Sequence, residues 1–302
     1  MEKIESLINK LTITWYPSFN CNFSCAYCNP HLHQKNAYSP SLQDLEKIFN
    51  ALKAFFPKDR NTNIWFSGGE PSQISHLPDF VNLIKKDNNI EIGLNSNGSA
   101  SFEYYDNLFQ NIDLANFSVH FDFINYRAYF KKLIRLYEKY EQKISFSVMV
   151  DKRYFDDVKK TCTLFKKYNI KHSVIKINGR EDSFNQYSDE ELDFINQYKS
   201  VGRNNTVKVN GKNYTDYTFK NLFTSYNNFK DWKCYVPQHN LYVAGSKLYA
   251  GVCKIKYYGD LLEDVIKPID NYVICDGRKC QCIGDLRASK EKVVENKIPI
   301  NF

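Results

Sequence analysis

No stretch of the 302-residue chain approaches the ~20 apolar residues of a membrane span, although 43% of its residues are hydrophobic. The opening residues, Met1-Glu2-Lys3-Ile4-Glu5-Ser6, are charged and no apolar h-region follows, which argues against a secretory signal. Dense basic runs interleaved with aromatics are missing too. The net charge of +7 therefore reads as a solvated lysine-rich surface or as attraction for an anionic substrate, not as a nucleic-acid footprint. There is no internal repeat and no low-complexity segment. What remains is a cytoplasmic, globular chain without a membrane or nucleic-acid partner. Its length suits one large α/β domain, or one substantial core plus a smaller module.

Disulfides are equally out of place, because the cytosol keeps thiols reduced. Yet the chain has nine cysteines, an odd number, and they are clustered. Cys21, Cys25 and Cys28 form one group, and Cys234, Cys253, Cys275, Cys280 and Cys282 another. Such grouping reads as metal ligation. Cys162 stands apart, in a helical pattern with Val158 and Phe165, and reads as a small core residue.

From about residue 11 to 200, short apolar runs alternate with helical patterns. Strands are expected at Leu11–Tyr16, Asn63–Phe66, Ile90–Leu94, Phe117–Phe121, Ile144–Val150 and Lys171–Ile177. Helices are expected at Ser41–Phe56, Pro78–Lys86, Tyr126–Tyr140, Phe155–Tyr168 and Ser188–Tyr198; Ser41 with Asp44, and Ser188 with Glu191, are spaced as capping boxes. This alternation implies βαβ units, a parallel sheet and a full or partial barrel. Sites in such folds lie at the C-terminal ends of strands, where the first cysteines, Gly68-Gly69-Glu70 and Asn95-Ser96-Asn97-Gly98 all fall. Beyond residue 200 the texture changes. Asn204-Asn205 and Asn210-Gly211 are turn signals, and Leu241–Val243 and Lys247–Tyr249 flank Gly245 like a hairpin. The expected organisation is residues 1–200 as one domain and 201–302 as a second.

Cys21, Cys25 and Cys28 supply three thiolates within eight residues. A [4Fe–4S] cluster ligated fully by protein uses four, so three leave one iron open. A zinc site completed by His31 or His33 is the competing reading of the same residues.

The Cys-x3-Cys-x2-Cys spacing, the aromatic Tyr27 before the last cysteine and the preceding strand resemble the radical S-adenosylmethionine (SAM) superfamily over roughly residues 10–200. That resemblance implies a partial (β/α)6 TIM-like barrel. It also implies a cluster whose open iron is chelated by SAM, and reductive cleavage of SAM to a 5′-deoxyadenosyl radical that abstracts hydrogen from substrate. An external electron donor such as flavodoxin or ferredoxin would supply the electron. Ser67-Gly68-Gly69-Glu70-Pro71 resembles the family segment that binds the SAM amino group: the glycines allow close backbone approach, and the carboxylate pairs with an ammonium. Asn95-Ser96-Asn97-Gly98 resembles its polar turn after the third strand, and Ser118 its ribose-contacting serine; for Asn95 and Ser118 plain turn or core roles stay open. His120 shares a strand face with Ser118 by alternation, either as a core histidine or as a substrate-site group.

The second cysteine group resembles the shortened auxiliary-cluster module, the twitch domain related to the longer SPASM module, as a small α+β unit with one [4Fe–4S] cluster. Five cysteines for four places leave one spare, and Cys280 and Cys282, two apart on an extended chain, would both face the cluster. Structural zinc again competes. A spare among Cys275, Cys280 and Cys282 is a candidate hydrogen donor.

The resemblance allows oxidation, epimerisation or bond formation. Only about ten residues precede the first expected strand, leaving no room for a leader-binding domain, so a small polar substrate such as a sugar or aminocyclitol is expected. Modification of a ribosomal peptide is the alternative, and a cluster- or zinc-binding structural protein the non-enzymatic one.

Overall fold

The computed structural model describes residues 2–35, 37–86, 89–177, 186–198, 205–215, 228–263, 266–277, 280 and 282–293. The chain divides into two compact units. One comprises Ile13–Ser200 with Val243–Ser246; the other comprises Met1–Thr12, Val201–Tyr242 and Lys247–Phe302. The boundary expected near residue 200 falls on residues 199–204, outside the described residues.

After β1 (Lys3–Ser6), which belongs to the second unit, strands and helices alternate: β2 (Lys10–Tyr16), α1 (Leu42–Lys53), β3 (Asn61–Phe66), α2 (Leu77–Ile84), β4 (Ile90–Ser96), α3 (Phe102–Leu108), β5 (Leu114–Val119), α4 (Tyr126–Tyr140), β6 (Ile144–Val150), α5 (Phe155–Lys167) and β7 (His172–Lys176). β2 to β7 lie side by side in chain order, and the pairings from β3–β4 to β6–β7 are parallel. Among the described residues β7 does not pair back onto β2, so the sheet is an open, partial barrel.

Side-chain alternation builds the two faces of this sheet. In β6 Ile144, Phe146, Val148 and Val150 are buried, while Ser145, Ser147 and Met149 are half-buried. Phe146 packs under the helices, its ring 6.1 Å from Tyr137 of α4 and 4.8 Å from Phe165 of α5. On the other face Ser147 donates to the Asn116 side chain of β5 at 3.0 Å. Many parallel sheets are apolar on both sides; here one face keeps polar groups.

The helix caps form as the spacing implies. Ser41 Oγ accepts from Asp44 N at 3.1 Å while the Asp44 carboxylate accepts from Ser41 N at 3.0 Å. Ser188 and Glu191 repeat the box at the helix Asp189–Gln197. Two elements differ by three residues at one end, and one helix is additional. α1 ends at Lys53, ahead of Pro57, which disfavours helix before it. β5 runs Leu114–Val119 rather than Phe117–Phe121, because the chain turns into a 3-10 segment at Phe121–Phe123. α3 was not expected; it is only seven residues long, too short for a periodic signal, and its legible mark is Ser101, whose hydroxyl accepts from Tyr104 N.

The rest of the chain adds β8 (Asn205–Val209), β9 (Lys212–Thr215), β10 (Trp232–Cys234), β11 (Asn240–Ala244), β12 (Lys247–Ala250), β13 (Lys256–Asp260), β14 (Val273–Ile274) and β15 (Lys290–Lys292), with a short helix at Ile283–Arg287. One sheet has the order β14-β10-β15-β1-β8-β9. Asn204 lies outside the described residues. Asn210-Gly211 makes the β8–β9 turn with φ of 44° and 87°, the positive values that a two-residue hairpin requires. No strand was expected ahead of β2, yet the chain before it contains one: β1 pairs with both β8 and β15. Ile4 is fully buried with Val207, Phe229, Cys275, Cys280 and Leu286. Among the described residues no helix is long and apolar enough to cross a membrane.

Phe146→Ala should remove the contact layer between β6, α4 and α5 and destabilise the fold by about 3–5 kcal/mol, read from urea unfolding. An unchanged midpoint would contradict this packing.

Candidate functional site

In the first unit a cavity of about 270 Å3 opens at the C-terminal strand ends. All the site residues expected there line it: Cys21, Cys25 and Cys28 with Tyr27, Gly68, Gly69, Glu70, Asn95 and Ser118. They arrive from four strand ends. β2 feeds the cysteine loop, β3 the glycines, β4 Asn95, and β5 Ser118.

Cys25 is buried, and Cys21 and Cys28 are half-buried. Loss of water pushes Cys21 up to about 11, Cys25 up to about 12 and Cys28 upward as well. The free thiols are therefore protonated at neutral pH, and ligating a metal must release their protons. His120 stacks on Tyr27, centroids 6.0 Å apart and planes 15° apart. Its Nδ1 lies 2.6 Å from Tyr27 Oη and 3.5 Å from Cys25 Sγ. Burial pushes His120 down to about 4, against the pull of Asp122, so the imidazole is neutral at neutral pH. In the tautomer protonated at Nε2, Tyr27 O–H donates to Nδ1.

Glu70 is the most constrained group of the site, 2% exposed. Its Oε1 accepts from Ser72 N at 2.9 Å and Ser96 Oγ at 2.7 Å; its Oε2 accepts from Asn97 N at 2.6 Å. Burial pushes the carboxyl upward, opposed by these bonds from Asn97, Ser96 and Ser72. Sequence reasoning assigned Glu70 to a ligand; the carboxylate also ties the turn after β3 to the turn after β4. The glycines tie the same turn to the cysteine loop. Gly69 N donates to Ser18 O at 3.2 Å and Glu70 N to Asn20 O at 2.7 Å. A Cβ on Gly69 would sit 2.2 Å from Asn20 O, and Gly68 has a φ of +116°, so both positions require glycine. Asn97 closes the circle, its Nδ2 donating to Asn22 Oδ1 at 3.0 Å and lying 3.9 Å from Cys21 Sγ.

Ser96, Asn97 and Met149 also line this cavity and were not singled out as site residues; His33, named above for a zinc site, lines it as well, and His31 is not among the lining residues. For Ser96 and Asn97 the signal was available, as polar residues directly at a strand end. For Met149 it was the alternation of β6.

In the second unit a small cavity is lined by Cys234, Cys253, Cys275 and Cys280, together with Asp285 and Lys290. Cys282 is not among its lining residues. It is the residue before the helix Ile283–Arg287 and has extended backbone; Gln281, between it and Cys280, lies outside the described residues. Burial pushes Cys280 up to about 12 and raises Cys234, Cys253 and Cys282. Asp285 is not a spare ligand: it accepts from Asn240 Nδ2, from Val252 N at 3.1 Å and from Cys253 N at 2.8 Å. Apart from Asp276, the donors left in the lining are sulfur, which suits zinc or iron–sulfur chemistry. Among the described residues no three Cys, His, Asp or Glu side chains are gathered tightly enough for one metal ion; the sulfurs stand around cavities instead. Cys162 is fully buried in α5, and all nine cysteines are free.

Residues 15–192 match the radical SAM superfamily, and the chain belongs to it. No curated protein matches the sequence. Among solved structures the chain is similar to native anSMEcpe with bound AdoMet and Kp18Cys peptide: 16% identity, 85% of this chain and 79% of that one covered, TM-score 0.56. Native anSMEcpe with bound AdoMet gives a TM-score of 0.57 at 16% identity, with 84% and 79% covered. BtrN in complex with AdoMet and 2-DOIA gives 0.38 at 15% identity, with 65% and 88% covered. The fold is the α/β partial barrel of this superfamily, and the protein is a radical SAM enzyme that binds an iron–sulfur cluster and SAM.

Gly69→Ala forces the new methyl into the Asn20 backbone. It should destabilise the cluster-free protein by about 1–3 kcal/mol in urea unfolding; full stability would mean that the two loops are not locked together.

Proposed function

We propose that Cys21, Cys25 and Cys28 hold a [4Fe–4S] cluster with one iron left for SAM, and that the enzyme abstracts a hydrogen atom from a small polar substrate such as a sugar or aminocyclitol, leading to oxidation or epimerisation. The observation that carries this reading is the convergence of three thiols and the β3, β4 and β5 strand ends on one cavity. When bound, the cluster and SAM supply a 5′-deoxyadenosyl radical; the protein orients the pieces.

In this reading the three thiols give up their protons on ligation. Glu70, with acceptor capacity left on Oε2, faces the SAM amino group; Asn95 and Ser118 serve its polar parts, and Tyr27 with His120 packs the cysteine loop. An external flavodoxin or ferredoxin delivers the electron. In the second unit Cys234, Cys253, Cys275 and Cys280 hold an auxiliary [4Fe–4S] cluster, with Cys282 as the spare; such a cluster is an electron acceptor for oxidation. Modification of a ribosomally made peptide is the second reading, and the fold's likeness to a structure holding AdoMet and a peptide favours it.

Anaerobic reconstitution should load about eight irons per chain. Replacing Cys21, Cys25 and Cys28 with Ala should leave about four and abolish 5′-deoxyadenosine formation; continued formation refutes the site. Glu70→Gln puts an amide where an ion accepts hydrogen bonds, so SAM affinity by calorimetry should fall roughly 10- to 150-fold. Equal affinity would remove Glu70 from the cofactor site. Mass spectrometry after turnover with candidate sugars and peptides separates the substrate readings: a product two mass units lighter from a sugar supports oxidation of a small substrate, and a changed peptide overturns that choice.

A further inference from the structure

Lys290 is buried, 2% exposed, in the second unit. Lysine is almost never fully buried unless paired, and an ammonium out of water needs compensation. Its Nζ donates to three carbonyls, Leu286 O at 3.2 Å, Ala288 O at 3.0 Å and Asp285 O. It lies 5.2 Å from the centre of the Phe229 ring. Among the described residues no carboxylate forms an ion pair with it. The Asp285 carboxylate is turned away, engaged by Asn240 and the Val252 and Cys253 amides.

The anionic partner is indicated by register. In the β10–β15 ladder Lys290 stands directly opposite Cys234, so the two side chains leave the sheet on the same face. Lys290 also lines the cavity walled by Cys234, Cys253, Cys275 and Cys280. The carbonyls at the end of the Ile283–Arg287 helix, the negative pole of that short segment, fix the ammonium in place.

We propose that Lys290 is the fixed counter-cation of the four-cysteine cavity and raises the reduction potential of the auxiliary cluster held there. This inference rests on the auxiliary-cluster reading given above. A cluster bound by four thiolates is anionic, and reduction adds one more negative charge. A cation anchored beside it stabilises the reduced form more than the oxidised form, which favours acceptance of an electron from a substrate radical. A lysine serving only as a cap for the helix would hold the backbone without affecting that equilibrium.

The test uses the full chain with Cys21, Cys25 and Cys28 replaced by Ala, so that only the auxiliary cluster remains. In this background Lys290 is kept or changed by Lys290→Arg, Lys290→Gln or Lys290→Met. Iron content and the midpoint potential are measured by EPR-monitored titration. The expected result is a shift to more negative potential in the Gln and Met variants, with the Arg variant close to Lys. Loss of iron from the neutral variants while Arg retains it also supports the charge. Unchanged potentials in Gln and Met overturn the inference, as does an Arg variant that shifts or loses iron as much as they do. Failure of the Lys290 background to take up about four irons overturns the auxiliary cluster itself, and the inference with it.

Discussion

The site of the first unit depends on one buried carboxylate. Glu70 has almost no access to water, and its two oxygens are held by Ser72 N, Ser96 Oγ and Asn97 N. Desolvation alone would neutralise such a group; charge-assisted hydrogen bonds counter it. The bonds lock the turn after β3 to the turn after β4. Through Gly69, whose missing side chain lets the backbone meet Asn20, they reach the loop that carries the cysteines. Three segments separated by tens of residues thus become one rigid support.

The barrel supplies the frame for that support by dividing its strands into two faces. Buried Ile144, Phe146, Val148 and Val150 anchor β6 under α4 and α5, and the intervening positions are free to be polar. His120 continues this pattern past the end of β5, where it meets Tyr27 and Cys25. A dry environment leaves its imidazole neutral, a hydrogen-bonding and stacking group instead of a cation near the cysteines. Desolvation acts likewise on the thiols, raising Cys21, Cys25 and Cys28, so their ionisation is coupled to ligation.

The second unit handles charge differently. Its cysteines enclose a cavity with a lysine in the wall, and the neighbouring carboxylate of Asp285 is consumed by backbone amides and Asn240. Sulfur is the prevailing ligand type in the lining, with a cation beside it. Cys282 sits just ahead of a helix and outside that enclosure.

Much of this was written locally, and local physics explains why it was legible. Capping boxes at Ser41 and Ser188 act within four residues, and the period of apolar positions in β6, α4 and α5 reflects faces that each element must bury. The cysteine spacing and the Gly-Gly-Glu turn carried the site for the same reason: a loop's geometry is set by its own residues. What the sequence hid were pairings between distant segments. β1 is too short to announce itself and exists because β8 and β15 supply its hydrogen bonds. The bonds of Glu70 to Ser96 and Asn97 need two strand ends brought side by side. Lys290 opposite Cys234 is a matter of strand register. The sequence by itself determined which groups this protein owns and the elements that carry them. Only the tertiary structure decided which of them meet, because buried charge and cross-strand contact are properties of segments packed together.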